Sequence, residues 1–224
     1  MNFGIRRTQK YTFKSPTLEV LRELGSLVVN PEDFNDKYGR LLPLLKTNMI
    51  EGILATLVQF YDPLYRCFTF LDYQLVPTLE EFSHVIGLRI PDQVPFFSLE
   101  EIPKHQDITE ATHLRVSEIK ANLTIKGGIL GLPAKFLIEE ARYFASMKSM
   151  DAFEAILAFL IYGLFLFPNI DNFVDISAIK IFLIRNPVPT LLADVYHSIH
   201  LRNFHKGGMI ICCTTLLYKW GGDY

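Results

Sequence analysis

From Ala155 to Phe167 the chain reads AILAFLIYGLFLF, thirteen residues without a charge, bounded by Glu154 and Pro168. A membrane-crossing helix needs roughly 20 apolar residues, so this run falls short by more than a turn. It is apolar on every face, and a helix of that kind has to be surrounded. The run therefore predicts a buried core helix. Composition agrees, since half of the 224 residues are hydrophobic and the mean hydropathy is +0.21. Such a chain buries a sizeable core rather than remaining disordered.

Helix boundaries are marked along most of the sequence by a Ser, Thr, Asp or Asn before an apolar run and a Gly or Pro after it. Ser15 with Pro16 opens a helix ending at Gly25, and Asn30 with Pro31 opens another ending at Gly39. Thr47 is placed to cap a helix through Tyr61, in which Ile50, Ile53, Leu54, Leu57 and Val58 form one apolar stripe. Cys67–Leu71 and Gln74–Val76 read as two strands around a turn at Asp72. Thr78 and Glu81 then have capping-box spacing, with Phe82 placed to staple onto Pro77 and Gly87 at the helix end.

Residues 91–107 contain three prolines and no clean period, which predicts a surface excursion. Helical patterns resume at Ile108–Leu114 and Ser117–Leu123. Gly127, Gly128 and Gly131 interrupt them, and Pro133 starts a helix through Met147. Ser149 caps the apolar helix, Asp175 one through Ile184, and Thr190 one through His205. Neither a solenoid-length repeat nor a low-complexity tract is present. The expected fold class is mainly α, a single helical domain over residues 1–224 with one small β-hairpin.

The motifs that carry chemistry are few. GGILGLPAK, Gly127–Lys135, has glycines before a helix start but lacks the Gly-Lys-Ser/Thr ending that holds a nucleotide phosphate and its magnesium. His197, His200 and His205 with Cys212 and Cys213 have zinc-binding side chains, and the first two stand three apart on a helix. The adjacent cysteines lack the spacing of a structural zinc pair, so surface histidines and small buried thiols are the simpler reading. Glu80 with Glu81, Glu100 with Glu101 and Glu139 with Glu140 are neighbours that point about 100° apart on a helix, unsuited to paired acid–base work. Trp220, the sole tryptophan, ends an apolar run and reads as core. No catalytic, cofactor-binding or metal-binding residue is assigned, and no cofactor is expected.

The formal charge of −2 supplies no general attraction to phosphate backbones or anionic lipid. Nucleic-acid binding would need a local patch, either Arg6, Arg7, Lys10 and Lys14 or Arg202, His205 and Lys206. Three cysteines, two of them adjacent, do not make a disulfide framework, and the N-terminus has no apolar segment of signal-peptide length. An intracellular setting, with Asn122-Leu123-Thr124 unglycosylated, is expected.

The run C-F-T-F-x-x-x-x-L-V-P-T-L-E-E-F-x-x-x-x-G-L from Cys67 to Leu88 resembles the signature of the plant mobile domain, historically labelled aminotransferase-like. The whole chain looks like an uncharacterised plant domain family related to it and found in transposon-associated copies. K-G-G-I-L-G-L-P from Lys126, S-M-D-A-F-E-A-I-L from Ser149, L-F-P-N-I-D-N-F-V-D from Leu166 and L-L-Y-K-W ending at Trp220 match as well. The resemblance implies a non-enzymatic, nuclear protein-interaction module associated with transposable elements, with protein partners. It transfers no catalytic residue, and no setting for a Schiff-base lysine is recognisable. Related sequences continue as helix beyond the tryptophan, so a copy truncated at its C-terminus is expected. Rival readings are an enzyme with an unfamiliar site, a nucleic-acid-binding module, and a decayed fragment.

Overall fold

The computed structural model describes residues 9–16, 18–90 and 102–222. The helix expected to be buried lies in the core. Helix α9, Met150–Ile161, buries every residue from Ala152 to Ile161. It passes without interruption into a π-helical turn, Tyr162–Leu166. Helices α1 (Glu19–Gly25), α6 (His105–Thr112) and α8 (Ala134–Ser146) pack around α9. Helices α2 (Pro31–Tyr38) and α3 (Leu41–Leu45) extend that layer, while α4 (Glu51–Gln59), α5 (Leu79–Ile86), α11 (Val188–Phe204) and α12 (Thr214–Gly221) form a second group. One hydrophobic cluster runs through both, from Leu21 to Trp220.

The expectation of a helical domain with a single hairpin is not met. Among the described residues, eight strands lie in three sheets beside twelve α-helices, which makes the fold mixed α/β. β1 (Lys10–Phe13) pairs in parallel with β8 (Gly207–Ile210). β2 (Tyr61–Asp62), β3 (Cys67–Thr69) and β4 (Gln74–Leu75) form an antiparallel sheet that contains the expected hairpin. β5 (Thr124–Lys126), β6 (Ile129–Pro133) and β7 (Phe173–Asp175) form the third. Each strand has between two and five residues, too few for alternation to register against the helical background. The Gly127-Gly128 pair, read as a helix breaker, is the turn of the β5–β6 hairpin, with both residues at positive φ.

Glycine is required where β7 meets its neighbours. A Cβ on Gly131 would lie 2.3 Å from the carbonyl oxygen of Val174, and one on Gly163 would lie 2.5 Å from both Val174 methyl groups. The second contact lets the π-helical turn sit directly against β7.

Several caps match the sequence. Asn30 accepts from the amides of Glu32 and Asp33, Asp175 accepts from Ala178, and the Thr78–Glu81 box closes in both directions. Others shift. α1 starts at Glu19 behind Leu18 rather than at Ser15, and α11 starts two residues before Thr190. Thr47 does not cap α4; its hydroxyl donates to the Pro43 carbonyl, and α4 begins at Glu51. Tyr61, expected at the end of that helix, starts a strand. The excursion expected at 91–107 lies outside the described residues except for 102–107, where α6 begins. No helix among the described residues is long and apolar enough to cross a membrane.

Candidate functional site

The β2–β4 sheet stands between two surface concavities. One is a groove of about 440 Å³ between α4 and the hairpin, lined by Ile50, Ile53, Leu57, Phe60, Phe70 and Tyr73, with Gly221 of α12 also in its lining. Three rings form its wall. Phe60 stacks on Phe70 at 4.7 Å between centroids, and Phe70 on Tyr73 at 4.9 Å. None of the described lining residues carries a charge.

The apolar stripe read on α4 divides in the fold. Leu54 and Val58 are buried, whereas Ile50 and Ile53 are 61% and 43% exposed and line the groove. Apolar spacing marks a face, and it does not say whether another element covers that face. The hairpin supplies more uncovered apolar surface at Leu64, Tyr65 and Leu71.

The second concavity is a cleft of about 610 Å³ between the sheet and α11. Tyr61 and Arg66 come from the sheet, Pro77 from the chain leading to α5, and Tyr196, His197 and His200 from α11. The Tyr61 hydroxyl lies 3.4 Å from His200 Nδ1. Tyr196 donates its hydroxyl to the Pro77 carbonyl at 3.3 Å, which ties α11 to the start of α5. Burial pushes both phenols above the ordinary tyrosine range, so each keeps its proton. Phe68 is fully buried between the two sites, its ring 5.7 Å from Tyr61 and 5.4 Å from Trp220.

His197 and His200 share a helix face, as their spacing requires, but His205 ends α11 and Cys212 and Cys213 are buried beyond β8. Desolvation pushes both thiols up, Cys213 to about 12. Among the described residues no three His, Cys, Asp or Glu side chains are grouped to hold a metal ion. Glu81 belongs to the capping box, Glu139 is an exposed partner of Lys135, and Glu100 and Glu101 lie outside the described residues. Trp220 is 2% exposed, in the core as expected.

The two basic clusters come together in part. The β1–β8 register sets Lys10 opposite Gly207, next to Lys206 and close to the end of α11 that carries Arg202 and His205. Lys14 is paired with Asp171 at 2.9 Å, and Arg6 and Arg7 lie outside the described residues. Sequence reasoning missed the groove and the cleft as sites, because each joins residues far apart in the chain. The available signal was the density of aromatics between Phe60 and Tyr73.

A family model described as Domain of unknown function (DUF7745) matches residues 21–222. No curated protein and no solved structure matches the chain.

Proposed function

We propose that this chain, which belongs to the DUF7745 family, is a non-enzymatic protein-interaction module that receives an uncharged apolar segment of a partner in the groove between α4 and the hairpin. The observation that carries this reading is the row of stacked rings Phe60, Phe70 and Tyr73 in a groove without a charged lining residue among those described. Surface apolar area of this kind is uncommon unless something covers it, and aromatic-lined grooves suit extended or helical peptide segments. A polyanion finds no counter-charge there, which disfavours nucleic acid as the groove's occupant. The resemblance of the Cys67–Leu88 run and its companion motifs to the plant mobile domain supports a nuclear setting linked to transposable elements.

Panning a displayed random-peptide library against the folded protein tests the reading. Selected peptides should be apolar and uncharged across the contact, and Ile53→Asp, a change at a partly exposed position, should abolish their binding while leaving the circular dichroism spectrum intact. Peptides that bind the Ile53→Asp variant as tightly as the wild type would overturn the assignment.

A further inference from the structure

The Tyr–His cleft plays no part in that reading, and its composition differs from the groove's. The apolar part of its lining, which serves as a base for a ligand, is Val76, Pro77 and Ala193. Arg66, His197 and the Tyr61–His200 contact line the same cleft, all donors or able to become so. Arg66 is exposed and has no ion pair among the described residues, so its guanidinium fork is available.

The nearest carboxylates are turned to other work. Asp62 accepts from the amides of Leu64 and Tyr65, and Glu81 accepts from Thr78 and from the Trp220 indole; neither lines the cleft. A volume of about 610 Å³ falls within the range of small-molecule sites. Tyr196, held on Pro77, keeps one wall in place without a ligand.

We propose that the cleft between the β2–β4 sheet and α11 binds a small aryl anion, a flat ring bearing a phosphate monoester or a carboxylate. The ring lies on Val76, Pro77 and Ala193, and the anionic group meets Arg66, with His197 and His200 beside it. The apolar base excludes a bare inorganic ion as the preferred ligand, since such an ion leaves the base uncovered and gains nothing from it. The Arg66 fork excludes a neutral ring for the complementary reason.

The six histidines of the chain give a direct readout. Phenyl phosphate, benzoate and inorganic phosphate are titrated separately into the folded protein while the imidazole Hε1 resonances are followed by NMR. At least one aryl anion should shift His197 and His200 saturably and leave His84, His105, His113 and His205 in place. Inorganic phosphate should bind about tenfold more weakly than that aryl anion, and Arg66→Gln should weaken the aryl anion by about tenfold. Ala193→Trp, which fills the base from an exposed position, should abolish binding. Phenyl phosphate and benzoate together distinguish the phosphate from the carboxylate source. Absence of saturable shifts at His197 and His200 up to about 10 mM of either aryl anion would overturn the proposal. So would unchanged affinity in Arg66→Gln, or inorganic phosphate binding as tightly as the rings. Ile53→Asp should leave aryl-anion binding untouched, so the outcome here is independent of the groove.

Discussion

Replacing Glu81 by alanine should destabilise the protein more than removal of a helix cap ordinarily does. Glu81 Oε2 accepts from the Thr78 amide at 2.8 Å, the Thr78 hydroxyl at 3.1 Å and the Trp220 indole N–H at 3.0 Å. The first contact is half of the capping box at the start of α5, and loss of a cap costs about 0.5–2 kcal/mol. The third is made by a residue only 2% exposed, and a hydrogen bond to a charged group contributes about 1.5–3 kcal/mol. Together the loss should be about 2–4 kcal/mol. For a domain of this size it lowers Tm by about 5–15 °C. Glu81→Gln retains an acceptor oxygen and should lose about 1 kcal/mol, the difference between a charged and a neutral acceptor. Urea unfolding followed through the fluorescence of Trp220, the sole tryptophan, measures each variant and reports on the indole itself. In a double-mutant cycle with Trp220→Phe, read by circular dichroism, the coupling should be about 1–2 kcal/mol. A Glu81→Ala loss below about 0.5 kcal/mol, or zero coupling, would refute the claim that one carboxylate joins α5 to α12.

Gly163→Ala should cost about 1–3 kcal/mol, because its Cβ meets both Val174 methyl groups at 2.5 Å. Adding Val174→Ala should recover part of that loss, which thermal unfolding of the single and double variants will show. Asp194 has a buried Oδ2 without a hydrogen-bond partner among the described residues, and burial, then the charge of Asp175, pushes its carboxyl up to about 7. The folded state therefore holds a proton that the unfolded chain releases near pH 4, and stability falls as pH rises from about 4 to about 7. Asp194→Asn should be more stable than wild type at pH 8, by about 2–4 kcal/mol, with the gap closing by pH 4 in denaturant titrations. All three cysteines are buried and free, so a thiol reagent such as dithionitrobenzoate should label none of them quickly in the native protein and all of them in urea. Rapid native labelling at Cys212 or Cys213 would contradict the packing around β8.

What was legible in the sequence was local. The Thr78–Glu81 box, the Asn30 and Asp175 caps and the Ala155–Phe167 run each act over a few residues, and each forms as its residue types require. The sheets were not legible. β7 is three residues long and pairs with β6 across α8, α9 and the π-helical turn, so its partner is invisible to any window that contains it. Gly131 was read as an interruption, although its role is to let two backbones approach. The α4 stripe was legible as apolar, but its division into buried Leu54 and Val58 and exposed Ile50 and Ile53 depends on where α12 and the hairpin end. The cleft was half legible. The shared face of His197 and His200 follows from helical spacing, whereas Tyr61 and Arg66 reach them only through the tertiary fold.

The parallel pairing of Lys10–Phe13 with Gly207–Ile210 joins residues nearly two hundred positions apart. On a ribosome adding about 5–20 residues per second, β1 emerges roughly 10–40 seconds before its partner exists. During that interval its amides and carbonyls have no ladder to join, and Tyr11 and Phe13, which pack partly against the core in the finished fold, lack the β8 side of their packing. Synthesis therefore leaves this strand edge open until β8 is made, and the nascent chain is exposed to wrong pairing at β1 for the whole of that interval.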